Sequence, residues 1–523
     1  MPICKDHTMI AHISAAELAV WIEDADELAI IDSREAGIYG EGHLFLAVNA
    51  PFSRLEAELP RLVPRRDTRL VLIAEPGLQQ AVHARAQALG YTELRLLDGG
   101  SAAWEALGYA LFKGVNLPSK TFAELVEHAF HTPALEPDEF LALRASGRRV
   151  VVLDPRTRAE YDAFHVPGAV SAPGAEIVQR FDDLVPDADT LVVVSCAGRT
   201  RGIVGAQALI NAGVGGSVHA LAGGTQAWRL AGHDLDRDTR ARDYTASEWA
   251  GLRAAERAEK LARDYGIARI GPADLAEWRA DPERTTYVFD VRQPEERGTP
   301  VSGLIAAEGG QLVQALDAWV GTWKARLILV DSAPGLRAVV TAHWLAQQGW
   351  QVAVHIGTPP PFKVKAPTVG TTAVPLTLAA FRDRISDGAT LLFAGSSANW
   401  QGGHPAGAIW VNRSRPSGIP AAGNGGVVVL GDAPERDLLA ADLARAGVDA
   451  AVFSGDWREA GLQVETEPLP EATRIDHLFW LHDRHSGNLA ASRAYLDWEL
   501  ALPEAVKAAG PVFLRPGPPS PQQ

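Results

Sequence analysis

The segment LVVVSCAGRTRGIVGAQAL, from Leu191 to Leu209, carries the residues best suited to chemistry. Four apolar residues and Ser195 read as a buried strand that delivers Cys196 at its end, and Gly198 permits a tight loop before a helix expected from about Thr200. Such a loop aims several backbone N–H groups at the cysteine sulfur. With the helix N-terminus and the cations Arg199 and Arg201, it is expected to lower the thiol pKa and favour the thiolate. The same surroundings would hold a persulfide anion or an oxyanionic donor. An inert core cysteine would keep poorer company than two arginines and a glycine-bearing loop. Cys4, the only other thiol, lies in an unpatterned terminus and is expected to take no part.

The elements that must position this loop recur along the chain. Apolar strands lead into Asp-x-Arg at Asp32 and Arg34, at Asp154 and Arg156, and at Asp290 and Arg292. A second apolar run follows each, LVLIAEPG from Leu70, LVVVSCAGRTR from Leu191 and LILVDSAPG from Leu327, and passes through a small-residue loop into an Ala-rich helical stretch. A fourth copy keeps the second run, from Val427, but its first strand, from Thr390, has lost the Asp-x-Arg. Glycine turns ending in Trp104, Trp228 and Trp457 close three of the copies.

Strands alternating with helices imply parallel βα units. The expected architecture is α/β: four tandem repeats, each a small, mostly parallel open sheet with helices on both faces, over about 10–115, 130–236, 266–362 and 373–465. A polar, Ala-rich helix from Ala241 is expected to join the two halves, and TPPPFKVKAPTVG from Thr358 reads as a stiff linker. The tail, 466–523, should hold a helix near Ala490 to Leu500 and end in a disordered PGPPSPQQ.

The second repeat resembles the rhodanese family of sulfurtransferases, and the likeness extends over most of the chain. It is carried by Asp154 and Arg156, by His165-Val166-Pro167-Gly168-Ala169, by the loop Cys196-Ala197-Gly198-Arg199-Thr200-Arg201, and by Gly223-Gly224 followed by Trp228. The resemblance implies a thiosulfate sulfurtransferase-like enzyme in which Cys196 takes a sulfane sulfur from a small anionic donor, thiosulfate first, and passes it to a thiol or cyanide. Ala197, Gly198, Arg199, Thr200 and Arg201 would bind the donor and hold the persulfide. Asp154, Arg156 and His165 have counterparts in repeats without a cysteine (His43 and His404 for the histidine) and are read as structural. No cofactor and no metal is expected, although His477, His482 and His485 lie close in sequence.

At the cysteine position the other repeats are aligned with Glu75, Asp331 and Asp432, carboxylates suited to fill an anion-binding loop themselves. Repeats one, three and four are therefore candidates for packing or for binding a protein partner, which keeps a sulfur-relay scaffold as the alternative function. A cysteine phosphatase is disfavoured, because only four residues separate Cys196 from Arg201, too few to cradle a tetrahedral phosphate. The net charge of −15 argues against a general nucleic-acid or membrane-surface binder. Few cysteines and no sustained apolar segment point to a cytoplasmic protein.

Overall fold

The computed structural model describes residues 10–362, 374–415, 419, 423–510 and 512–519; Cys4, most of the expected linker and the last residues of the tail lie outside them. The described chain forms two compact units, one drawn from 1–22, 28–115 and 365–480, the other from 23–27, 116–364 and 481–523. The first repeat is thus gathered with the fourth, and the second with the third.

Each repeat builds a parallel sheet whose strands, numbered within the repeat, lie in the order first, fifth, fourth, second, third. In the second repeat these are Ala134–Leu135, Ser217–Leu221, Leu191–Val194, Val150–Asp154 and Ala169–Ser171. The two longest apolar runs sit side by side at the centre of every sheet. That position explains their unbroken hydrophobicity, since both faces are covered. In the fourth repeat, Val427 and Val429 face one cluster with Leu439 and Leu443, while Val428 and Leu430 face another with Phe381, Trp400 and Trp457.

Repeats one and four join through buried polar groups. The Glu35 carboxylate accepts from the Ser53 N–H at 3.0 Å and its hydroxyl at 2.9 Å, from Asn412 Nδ2 at 3.1 Å, and from the Ser414 hydroxyl. Arg413, 3% exposed, grips both Glu56 oxygens at 2.6 Å and Asp442 at 2.6 Å. In the other unit the helix Glu248–Asp264, capped by Ser247, packs on Ile177–Leu184 of repeat two and Leu336–Gln347 of repeat three. The Ala-rich segment is a helix that links repeat two to repeat three and packs on both within one unit. Before and within the first part of the PGPPSPQQ end, the Arg515 N–H bonds the Gln347 carbonyl at 2.9 Å and the Gly517 N–H bonds its side chain at 3.0 Å, while residues 520–523 lie outside the described residues.

One turn clamps the cysteine loop. Gly224 has a φ of +53°, and a Cβ there would lie 2.2 Å from the Cys196 carbonyl oxygen and 2.6 Å from that of Gly198. Only glycine fits so close to another backbone. Its counterpart Gly100, at φ +58°, has open space around the same position.

Gly224→Ala should therefore lower the unfolding midpoint more than Gly100→Ala, by the backbone displacement added to a left-handed strain of about 1 kcal/mol common to both; equal losses in thermal denaturation would contradict the clamp. Arg413→Ala strips the buried Glu56 of its two short contacts, leaving it Arg85 at 3.5 Å, and should destabilise the unit of repeats one and four by roughly 3 kcal/mol, measurable by chemical denaturation.

Candidate active site

Cys196 follows the strand Leu191–Val194, whose register is fixed against Val150–Asp154 and extended by the Ser195 N–H to the Leu153 carbonyl at 2.9 Å. The helix Thr200–Asn211 begins four residues beyond the cysteine. The backbone N–H groups of Gly202 and Gly198 are directed at the sulfur, and Arg201 lies within electrostatic reach. The sulfur is out of water, with Cys196 only 2% exposed.

Burial reverses the thiol expectation. It pushes the Cys196 pKa up, and the Arg201 charge and the two N–H groups offset only part of that rise, while Glu499 adds to it. The sulfur is thus held as a thiol whose ionised form has partners waiting for it.

The two loop arginines have partners too. Arg201 makes a two-pronged ion pair with Glu160, both contacts 2.6 Å. Burial alone would raise the Glu160 pKa, but Arg201 and the Thr157 hydroxyl hold it down to about 2. Arg199 turns away from the sulfur, its Nε 2.8 Å from Glu124 Oε1 and its NH2 2.8 Å from Glu124 Oε2, with Glu127 beside it. Of the expected anion-binding cations, one therefore remains near the sulfur and the other ties the loop to the helix Leu117–Phe130. The Ala197 carbonyl accepts from the Gln226 N–H at 3.2 Å and the Thr225 hydroxyl at 3.3 Å, which locks the loop to the glycine turn.

The tail supplies a group that sequence reasoning missed. The helix Leu489–Ala505, capped by Asn488, buries Ser492, Tyr495, Glu499 and Leu502 along one face. Glu499 is 1% exposed. Its Oε1 accepts from the Tyr495 hydroxyl at 3.0 Å and the Thr200 hydroxyl at 3.4 Å, and a Cβ added to Gly198 would lie 2.9 Å from its Oε2. Burial raises the Glu499 pKa, with Lys120, Tyr495 and the N–H and charge of Arg199 acting against the rise. A carboxyl group is thus pressed against the loop that should receive an anion.

Asp154, Arg156 and His165 are engaged with the end of their own strand and the turn after it. Arg156 wraps its own strand end, with Nε 2.9 Å from Asp154 Oδ1 and NH2 2.7 Å from Oδ2, and it also donates to the Phe164 carbonyl at 2.5 Å. The same pairs form at Asp32 with Arg34 and at Asp290 with Arg292. The His165 ring stacks on Tyr161 at 3.8 Å between centroids, as His43 does on Tyr39 at 3.7 Å and His404 on Trp400 at 3.4 Å. Among the described residues no group of three or more His, Cys, Asp or Glu could hold a metal ion.

Sheet register corrects one alignment. Asp32 pairs with Ile73 where Asp154, continuing the ladder, falls opposite Ser195, so the residue matching Cys196 is Ala74 and not Glu75. Glu75 instead pairs with Arg415, at 3.0 Å. Asp331 does match the cysteine, and its carboxylate accepts from the N–H of Ser332 at 2.8 Å and of Ala338 at 3.2 Å while Arg337 grips it at 2.8 Å. Asp432 also matches, but it bonds the Ser396 N–H and Asn399 across the sheet end rather than its own loop. Arg337 meets Glu296 at 2.7 Å, the counterpart of the Arg201–Glu160 pair.

The rhodanese-like domain model matches residues 14–107 and 136–231. A stretch of 103 residues is 35% identical to the HTH-type transcriptional regulator Rv0324 of Mycobacterium tuberculosis, covering 20% of this chain and 44% of that protein. The crystal structure of a thiosulfate sulfurtransferase from Pseudomonas aeruginosa is 36% identical and spans 97% of this chain and 100% of its own, with a TM-score of 0.89. Since that likeness runs through all the repeats and keeps their fold, the chain belongs to the rhodanese-like family as a multidomain member.

Proposed function

We propose that the protein is a sulfurtransferase that carries a sulfane sulfur as a persulfide on Cys196, from thiosulfate to a thiol or cyanide acceptor. The observation that carries this reading is the sulfur's position at a strand end, met by the N–H groups of Gly198 and Gly202 and by the field of Arg201. The similar Pseudomonas aeruginosa protein, named for the same reaction, supports the donor.

In the first step the Cys196 thiolate attacks the outer sulfur of thiosulfate. A sulfur–sulfur bond forms to Cys196, the bond to the sulfonate group breaks, and sulfite leaves with the electron pair. Three negative charges stand on each side of the step. The persulfide anion then takes the N–H groups and the Arg201 charge that the thiol left unused. Ping-pong kinetics follow, because sulfite departs before the acceptor reacts.

Glu499 opposes this step twice. Its negative charge disfavours the thiolate and repels a dianionic donor arriving at the loop. Burial raises its pKa above that of an ordinary carboxyl, which eases both effects. Arg199, its own charge met by Glu124 and Glu127, serves to hold the loop.

Thiosulfate should add one cyanide-labile sulfur atom to the wild-type protein, mapped to Cys196 by peptide mass, and none to Cys196→Ser with the fold unchanged; labelling of the serine variant, or turnover beyond a trace, would refute the site. Because the thiolate is the nucleophile and its pKa is raised, persulfide formation should climb with pH up to and beyond the ordinary thiol range. Glu499→Gln removes a negative neighbour, so the rising limb should move to lower pH and the rate at neutral pH should increase by roughly three- to tenfold. An unmoved limb in stopped-flow assays would show that Glu499 has no electrostatic hold on the sulfur.

A further inference from the structure

A cavity of about 760 Å³ lies beside the cysteine loop, bounded on one side by Phe164, Gln226 and Arg237 and on the other by the tail segment around Arg484 and His485. Gln226 stands between the cavity and the cysteine loop. It is 3% exposed and lines the cavity, its Nε2 is 3.3 Å from where a Cβ on Gly198 would sit, and its Oε1 has no hydrogen-bond partner among the described residues.

The cavity carries cations that the space around the sulfur has already matched. There, Arg199 and Arg201 are met by Glu124, Glu127 and Glu160, and the Glu499 carboxyl faces the charge of Lys120. In the cavity, Arg229 meets the exposed Asp234 at 2.7 Å. The Arg237 guanidinium donates to the Ala163 carbonyl at 3.4 Å and lies over the Phe164 ring, and Arg484 donates to the Leu481 carbonyl at 2.7 Å while lying over Tyr495 at 4.3 Å. Neither of these two guanidinium groups is in an ion pair among the described residues, and the buried Arg484 Nε has no hydrogen-bond partner there. The volume is far larger than thiosulfate needs and falls in the range of sites for small organic ligands.

We propose that this cavity is the acceptor site, and that it selects a low-molecular-weight thiol bearing carboxylates, which Arg229, Arg237 and Arg484 hold while the sulfur reaches past Gln226 to Cys196. The assignment rests on the sulfurtransferase reading. The acceptor thiolate attacks the outer sulfur of the Cys196 persulfide, its new sulfur–sulfur bond forms as the bond to Cys196 breaks, and Cys196 leaves as the thiolate, with two negative charges before and after. Arginine suits carboxylates because its planar fork can donate two hydrogen bonds to each. Separating the acceptor's charged groups from the acidic loop lets an anion approach a site that would otherwise repel it.

The test uses the full-length protein loaded with sulfur by thiosulfate and freed of donor. Discharge is timed with glutathione, which carries two carboxylates, and with 2-mercaptoethanol, which carries none, at matched thiolate concentrations. Glutathione should win by about tenfold in second-order rate, through KM, and added salt should shrink the difference. In Arg229→Gln/Arg237→Gln, Arg237 being exposed and Arg229 half-buried, the ratio should fall toward unity. A wild-type ratio near unity, or one that survives in the double variant, overturns the cavity assignment. S-methylglutathione, which accepts no sulfur, is titrated against the same proteins by calorimetry: binding lost in the double variant supports the site, and no binding to the wild type refutes it even if Cys196 takes up no sulfur. Failure to load sulfur at all is a separate result and refutes the sulfurtransferase reading alone.

Discussion

A sulfur atom withdrawn from water at the end of a parallel strand sets the terms for everything around it. Burial makes the thiolate costly, so each charge in the neighbourhood must be cancelled or aimed. Glu160 answers Arg201, Glu124 and Glu127 answer Arg199, and the Gly224 backbone closes against the loop carbonyls. What remains uncancelled is a few N–H dipoles pointing at the sulfur. Those become fully used only when a negative charge sits there, as it would on the proposed persulfide and does not on the resting thiol.

The local parts of this site were legible in the chain. A buried strand, a glycine loop and a helix start are adjacent in sequence, so Cys196 and its loop could be read from a window of some twenty residues. The Asp-x-Arg pairs were legible because they recur without the cysteine, and the geometry at Asp32, Asp154 and Asp290 is one and the same. Glu160 left a trace, since Thr157-x-x-Glu160 is a capping box and Glu296 repeats its offset from the strand-end aspartate. Glu124 and Glu499 left none: their partners lie about seventy-five and three hundred residues away in sequence, and on a helix a lone glutamate reads as solvent-facing. The thiol pKa was misjudged for a related reason. Arginines and a helix N-terminus are visible in a sequence, whereas the loss of water around a sulfur belongs to the packed structure.

The pairing of repeats was hidden in the same way. Glu35, Glu56 and Arg413 look like surface charges, yet they form the buried seam between the first and fourth sheets. A seam of this kind tolerates few partners, because every carboxylate must find its donor. Asp331 shows how a silent repeat can keep the loop it no longer uses, its carboxylate taking two N–H groups and an arginine. Ala74 shows another way, with the position simply left apolar and 8% exposed.

The nested pairing has a consequence for how the chain comes into being. A polypeptide emerges from its N-terminus, and domains generally fold as units while synthesis proceeds. The second and third repeats are consecutive and can meet as soon as both are made, but the first must wait for the fourth, across some 250 residues of intervening chain, before Glu35 and Glu56 find Asn412, Ser414 and Arg413. The helix Leu489–Ala505 comes later still, and with it the carboxyl that closes over the cysteine loop. During that interval the cysteine loop of a nascent chain lacks Glu499, and it gains that neighbour only when the helix Leu489–Ala505 has left the ribosome.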